Sequence, residues 1–262
     1  MDWLDNIIKT FFDFEAMWQV FPQLLAIGLV NTLVISIWAT VIGIVLGMVI
    51  AIMGISPSRW LRIPARIYTD IFRGLPAILT ILLIGQGFAR FSQQIFGPSP
   101  YPLGILALSL IASAYMGEIF RAGIQSVDRG QLEACRALGM SYGKAMRLVV
   151  VPQGVRRVLP ALVNQFIAIV KDSSLVYFLG LLVSERELFR VGQDAAVLTG
   201  NLSPLVAAGL FYLAITVPLT HLVNYFDNRF RTGRRKAAPP KSGLDEVEEQ
   251  NPTPTLTYGE NS

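Results

Sequence analysis

The residues of this chain best placed to do chemistry are ionisable side chains set inside long apolar segments. Lys171-Asp172-Ser173-Ser174 interrupts the apolar stretch 159–183, Glu118 and Arg121 stand near the end of 102–125, and Arg73 precedes Gly74-Leu75-Pro76 within 61–89. A charge held in hydrocarbon costs roughly 2.5–3.5 kcal/mol on insertion scales, so such groups either have a partner or line a polar path. Adjacent helical residues point about 100° apart, so one of Lys171 and Asp172 can face a path while the other meets a second helix. Two readings stand for Lys171, Asp172 and Ser173. They form an inter-helix charge pair, or they line a path able to hold both ends of a zwitterion with ammonium, carboxylate and hydroxyl groups. Glu118 and Arg121, at i and i+3, suit an intrahelical ion pair, with path lining as the second reading of Glu118. Arg73 lies beside a Gly and a Pro that break its helix. Broken helices expose backbone donors and acceptors, which a bilayer tolerates only next to a cavity or inside protein. Arg73 therefore faces such a cavity, or else snorkels and caps the kink.

Other chemistries are excluded by what is scarce. His221 is the only histidine and Cys135 the only cysteine, which rules out a His-based metal cluster, a Ser-His-Asp triad and a disulfide framework. A phosphate-cradling loop needs Gly, four residues, then Gly-Lys-Ser/Thr. The nearest approach, Gly139-Met140-Ser141-Tyr142-Gly143-Lys144-Ala145, is one residue short and lacks the terminal hydroxyl. No cofactor, metal or catalytic activity of its own is expected for this chain.

The elements that position these residues are membrane helices. Of 262 residues, 53% are hydrophobic and 15% charged, against about 25% charged in an ordinary globular domain, and the mean hydropathy is +0.51. A span needs about 20 apolar residues, and five stretches qualify: 24–55, 61–89, 102–125, 159–183 and 202–225. Basic residues are sorted between them. Lys9, Arg90, Arg186 and Arg190 lie on one side. The other side carries Arg59, Arg62 and Arg66, then six Lys/Arg from Arg129 to Arg157, then five from Arg229 to Lys236. Lys and Arg collect on the cytoplasmic face. The expectation is an all-α integral membrane protein with five transmembrane helices, its N-terminus outside and its C-terminus inside. Residues 1–22 read as an extracellular amphipathic arm (Phe11, Phe12, Phe14, Met17, Trp18 and Phe21) or a plain aromatic belt. No basic run leads a short apolar core, so the start does not read as a secretory signal. Residues 23–230 form the membrane domain, and the Pro-rich, acidic 231–262 reads as a disordered cytoplasmic tail.

The connection 128–157 is cytoplasmic by the same rule but is not turn-like. Glu133 to Leu138 favour helix, Gly139 interrupts, and a second helical run follows to a stop at Pro152. Glycine permits the positive φ of a sharp turn between two short helices. Such an elbow either docks into a groove on a cytosolic partner or lies on the membrane surface.

Glu133-Ala134-Cys135, then Gly139, then Val149-Val150-Val151-Pro152 resembles the EAA loop of ATP-binding-cassette importer permeases, with Cys135 in place of the third small residue. Gly28-Leu29-Val30-Asn31-Thr32-Leu33, Arg73-Gly74-Leu75-Pro76, Tyr115 to Ile124, Gly130-Gln131, Pro152-Gln153, Leu159-Pro160-Ala161 and Lys171 to Leu175 resemble the polar-amino-acid subfamily, in order, over about residues 24–230. The resemblance implies a type I importer. In it two permeases, copies or relatives, form the path, ABC ATPase subunits bind ATP and magnesium beneath them, and an extracellular solute-binding protein delivers an amino acid. It places Glu133, Ala134 and Gly139, with Ala137 and Leu138 beside them, in the segment that couples to the ATPase. It also keeps Lys171, Asp172 and Ser173 as path candidates, while Arg73 and Glu118 stand as candidates on the residue readings above. Glutamate or glutamine is the leading substrate expectation, ahead of arginine, histidine and cystine. The rivals are a secondary, ion-coupled carrier, for which no duplicated pattern is visible, and a nucleic-acid binder. The latter is disfavoured because the basic residues fall in three juxtamembrane segments rather than one patch. The partners expected are thus membrane lipid and importer subunits, and no nucleic acid.

Overall fold

The computed structural model describes residues 2–232, and residues 1–225 make one compact unit. The tail expected from residue 231 lies outside the described residues, save for Arg231 and Thr232 at the end of the last helix. All regular structure among the described residues is helical. Two short helices, α1 (Asp2–Phe11) and α2 (Phe14–Gln23), precede α3 (Val30–Ile55), α4 (Arg59–Gly74), α5 (Ala77–Gly87), α6 (Ala89–Phe96) and α7 (Tyr101–Gln125). The connection after α7 folds as α8 (Arg129–Ala137) and α9 (Tyr142–Ala145), followed by α10 (Val151–Asp172), α11 (Leu188–Thr199) and α12 (Ser203–Thr232).

Four helical runs are long and apolar enough to cross a membrane, and a fifth span is reached if α4 and α5 count as one. That pair is bent by 106°. Leu75 and Pro76 are extended between them, because the proline ring excludes helical geometry from the residue before it. The single apolar stretch 61–89 is thus two helices meeting nearly at right angles.

The arm does not end where composition suggested. Residue 22 falls inside a continuous helical run, in which six residues, Leu24–Leu29, widen into a π-helix before α3. Pro22 lacks the N–H that an α-helical ladder would use, and the widened turn follows it directly. Val20 and Leu24 are buried against Leu188, Val191, Ala207 and Ala208. Asp13 caps α2 by accepting from the amides of Glu15 and Ala16. Its own amide donates to Ser203 Oγ at 2.8 Å, and Asn201 Nδ2 donates to Asp13 Oδ2 at 3.1 Å. The arm is pinned to the start of α12, while Phe14, Trp18 and Phe21 remain exposed.

The core is built on α7, which runs between α3, α4, α5 and α10. Glycines set the spacing. A β-carbon at Gly47 would lie 3.0 Å from the Gly117 nitrogen, and one at Gly43 2.9 Å from the Ala112 β-carbon, so the Gly43–Gly47 pair lets two backbones approach closely. Around that seam lie Ile35, Ala39, Ile81, Leu108, Met116, Phe120 and Ile169.

Pro152 was expected to stop the second elbow helix, and it does not. Met146–Val150 form a π-helical stretch and α10 continues through Pro152, which sits in its first turn. There a missing N–H costs little, since the register has already been widened. Lys171 and Asp172 lie at the C-terminal end of α10, where the helical run continues as a tighter 3-10 helix over Ser173–Leu179.

Candidate functional site

The elbow is closed by a specific set of bonds. Asp128 caps α8 by accepting from the Gly130 amide at 2.6 Å. At the other end Met140 N donates to Cys135 O and Gly139 N to Arg136 O, both at 3.0 Å. These two bonds define the Schellman motif, in which the residue after the cap is left-handed, and Gly139 has φ +80°. Arg136 Nη1 donates to Met140 O at 2.9 Å, and Ser141 caps α9. Cys135 is buried and Leu132 packs on the Ile124, Val127 and Val150 cluster. Glu133, Ala134, Ala137 and Leu138 face outward, Leu138 at 83% exposure. Gln153 Nε2 donates to Gln131 Oε1 at 3.4 Å, and Arg157 donates to Ser126 O. The elbow is thereby tied to the start of α10 and the end of α7.

The structure brings Arg73 and Glu118 together. Glu118 accepts from Arg121 Nε at 3.0 Å and Nη2 at 2.5 Å, and its Oε2 lies 3.6 Å from Arg73 Nη1. One carboxylate thus holds two guanidinium groups, joining the α4 break to α7. Arg73 also stands over the Tyr115 ring, 5.4 Å from its centroid, a cation–π arrangement. The expected intrahelical pair is present, and Arg73, placed at the α4 break, reaches the same carboxylate. These residues, with Arg62, Arg66 and Asp70, line a cleft between the ends of α3, α4 and α7.

Lys171, Asp172 and Ser173 do not join that cluster through any hydrogen bond or ion pair among the described residues. Lys171 is exposed and Asp172 half-buried. Ser173 is fully buried, donating to Val170 O at 2.8 Å, so its hydroxyl is turned into the packed interior and away from the exposed surface of Lys171.

Residues 43–232 match the family described as "Binding-protein-dependent transport system inner membrane component". The chain belongs to this family. It is 35% identical to the arginine transport system permease protein of Bacillus subtilis (strain 168), over 84% of this chain and 98% of the relative. It is equally 35% identical to the glutamate/aspartate import permease protein of Escherichia coli O157:H7, over 83% and 98%. A crystal structure of an amino acid ABC transporter with histidines matches at TM-score 0.71 and 34% identity, covering 83% of this chain and 98% of that one. An inward-facing methionine ABC transporter, 19% identical at TM-score 0.64, shares the fold. The chain is a permease subunit of an amino acid ABC transporter and a multi-pass protein of the bacterial cytoplasmic membrane.

One group in the permease was missed by sequence reading. Glu187, in the connection between spans, is completely buried. It caps α11, accepting from Phe189 N at 2.5 Å and Arg190 N at 2.8 Å, and it also accepts from Tyr212 OH of α12 at 3.1 Å. Next to it, Leu188 N donates to Thr32 Oγ1 at 3.1 Å, and Asn31 Nδ2 donates to the carbonyls of Ser184 and Arg186. Gly28 leaves room for Leu188, whose Cα would lie 3.1 Å from an added β-carbon. The Gly28 to Leu33 motif of the permease is thus the seat for the N-terminus of α11. Burial pushes the Glu187 carboxyl up to about 7, and its hydrogen bonds and Arg190 only partly offset this. The signal available in the sequence was Glu187-Leu188 opening an apolar-periodic run, a helix-capping pattern.

Proposed function

We propose that this permease forms the translocation path for a polar or charged amino acid and couples its passage to ATP hydrolysis by a partner subunit. The observation that carries the reading is the elbow. Its inner face is packed, its turn is fixed by Gly139, and it offers Ala134, Ala137 and Leu138 beside Glu133 as an apolar patch with one acidic edge. A patch so presented suits a groove on an ABC ATPase, which would hold the ATP and magnesium that this chain has no loop to cradle. With the N-terminus outside and the C-terminus inside, the elbow faces the cytosol, a second permease completes the path, and an extracellular solute-binding protein loads it.

Glutamate or glutamine is the favoured substrate. Support comes from the Arg73 guanidinium at the α4 break, which stays exposed despite its contact with Glu118. Such a group attracts an acidic side chain and opposes a second guanidinium. Relatives are named for glutamate/aspartate, glutamine and arginine, so substrate choice is a matter for experiment. Arg73, Glu118, Lys171 and Asp172 are the path candidates, with buried Ser173 positioning the α10 end.

The complex reconstituted in liposomes, with its ATPase and binding protein, should import radiolabelled glutamate only with ATP inside, and unlabelled glutamate and glutamine should compete best. Uptake driven by an ion gradient without ATP would instead identify a secondary carrier. Arg73→Met and Lys171→Met should each lower uptake at least tenfold while the subunits still co-purify, and unchanged kinetics in both would remove these residues from the path.

A further inference from the structure

We propose that Arg62 and Arg66, on one flank of α4, form a site for the phosphate of an anionic phospholipid in the leaflet on the elbow side.

The site follows from how the faces of α4 are divided. Wound at 3.6 residues per turn, Ala65, Thr69 and Phe72 fall on one side. Ala65 and Thr69 are buried and Phe72 packs on the main core. The opposite side carries Trp60, Ile63, Ile67 and Ile71, all exposed, Trp60 at 90%. Between these two sides runs a polar flank with Arg59, Arg62, Arg66, Asp70 and Arg73. A helix buried on one side and apolar on the other has its outer ridge in lipid, given that this is a membrane protein. A tryptophan at its start and cations along one edge are the features of a segment at the headgroup level.

Charge accounting then separates Arg62 and Arg66 from their neighbours. Arg73 and Arg121 are both held by Glu118. No carboxylate lies within 4.0 Å of Arg62 or Arg66 among the described residues. Both arginines line two adjoining clefts, one reaching Arg73 and Arg121, the other reaching Arg121, Asp128 and Arg129. Counting the charged residues of both clefts, five arginines stand against Asp70, Glu118 and Asp128. An anion is therefore called for, and a guanidinium pair is well matched to phosphate oxygens. The apolar ridge on the same helix selects an anion that carries acyl chains. A soluble phosphate would satisfy the flank and leave Ile63, Ile67 and Ile71 without cover.

The leaflet rests on the orientation proposed above, but lipid binding does not, and the test uses neither ATP nor amino acid, so either reading can fail alone. Full-length permease in neutral detergent is titrated with phosphatidylglycerol or phosphatidylcholine and the bound lipid is read by native mass spectrometry. Phosphatidylglycerol should be retained in preference. Arg62→Gln and Arg66→Gln should each weaken it about fivefold, and the pair together about 25-fold. Arg62→Lys with Arg66→Lys should keep most of the affinity, which separates charge from misfolding. Arg147→Gln with Arg156→Gln, exposed cations elsewhere on that side, should leave binding unchanged. Equal retention of the two lipids, an unaffected double glutamine variant, or an equal loss in the Arg147/Arg156 control would overturn the proposal. So would displacement of the lipid by inorganic phosphate at matched concentration, which would mark a soluble-anion site.

Discussion

Glu187 makes the permease's stability depend on pH in a direction opposite to that of an ordinary salt-bridged acid. Its folded pKa is raised from 4.5 to about 7, so between these values the native state binds a proton that the unfolded chain does not. By linkage, the stabilisation is fully present below pH 4.5 and is lost as pH rises through about 7. That difference in pKa corresponds to about 3 kcal/mol, on the order of 6–12 °C in melting temperature for a chain of this size. The groups facing Glu187 are Arg190 and the two capping amides on α11, and the Tyr212 hydroxyl on α12. The perturbation is Glu187→Gln, which keeps one carbonyl oxygen for a capping amide, gives up the other, and cannot ionise. Thermal unfolding in detergent from pH 4.5 to 8.5 should show the wild type losing stability across the window and the variant flat. The variant, lacking one capping bond, should melt below the wild type at the acid end, and the gap should narrow as pH rises through about 7. Parallel curves would refute the reasoning, because the slope would then belong to other groups.

Gly139→Ala meets nothing within 4 Å, so its cost is the left-handed backbone alone, about 1–2 kcal/mol. Amide exchange over residues 129–140 should quicken about five- to thirtyfold, less for Gly139→Asn. Gly154→Ala would place a β-carbon 2.7 Å from the Ile124 Cα. It should cost about 1–3 kcal/mol by forcing α10 off α7, seen as a lower melting temperature with unchanged helicity. Glu118→Ala leaves Arg73 and Arg121 facing each other and should destabilise by about 1.5–3 kcal/mol. That penalty should shrink at high salt and in the double variant Glu118→Ala/Arg121→Ala.

Legibility in the sequence tracked the range of the interaction. Charge sorting and apolar length located the spans and the elbow, because both are properties of single segments facing one solvent. Gly139 was readable because a left-handed turn is a local demand. The Glu118–Arg121 pair was readable because it spans one turn. Arg73 reaching the same carboxylate was not, since it depends on a 106° bend that the proline announces without giving its angle. The burial of Ser173 and the end of α10 at Asp172 depend on how the chain packs after that helix, which no local pattern announces. Glu187 was hidden for the opposite reason. A carboxylate in a polar connection reads as a solvated loop residue until α12 closes over it.

The glycine seam between α3 and α7 has a mechanical consequence. Where backbones touch through Gly47 and Gly117, and again through Gly123 and Gly154, no flexible side chain lies between them to absorb displacement. Through its ties to Ser126 and Gln153, the elbow is fixed to both rods of the second contact. A displacement of the elbow would therefore reach α7 directly, while toward α10 the chain passes the π-helical turn Met146–Val150. Breaks in regular winding lie at that turn, at the π-helical turn beside Pro22 and at Leu75-Pro76, and these are the places where such a displacement can become a change of shape.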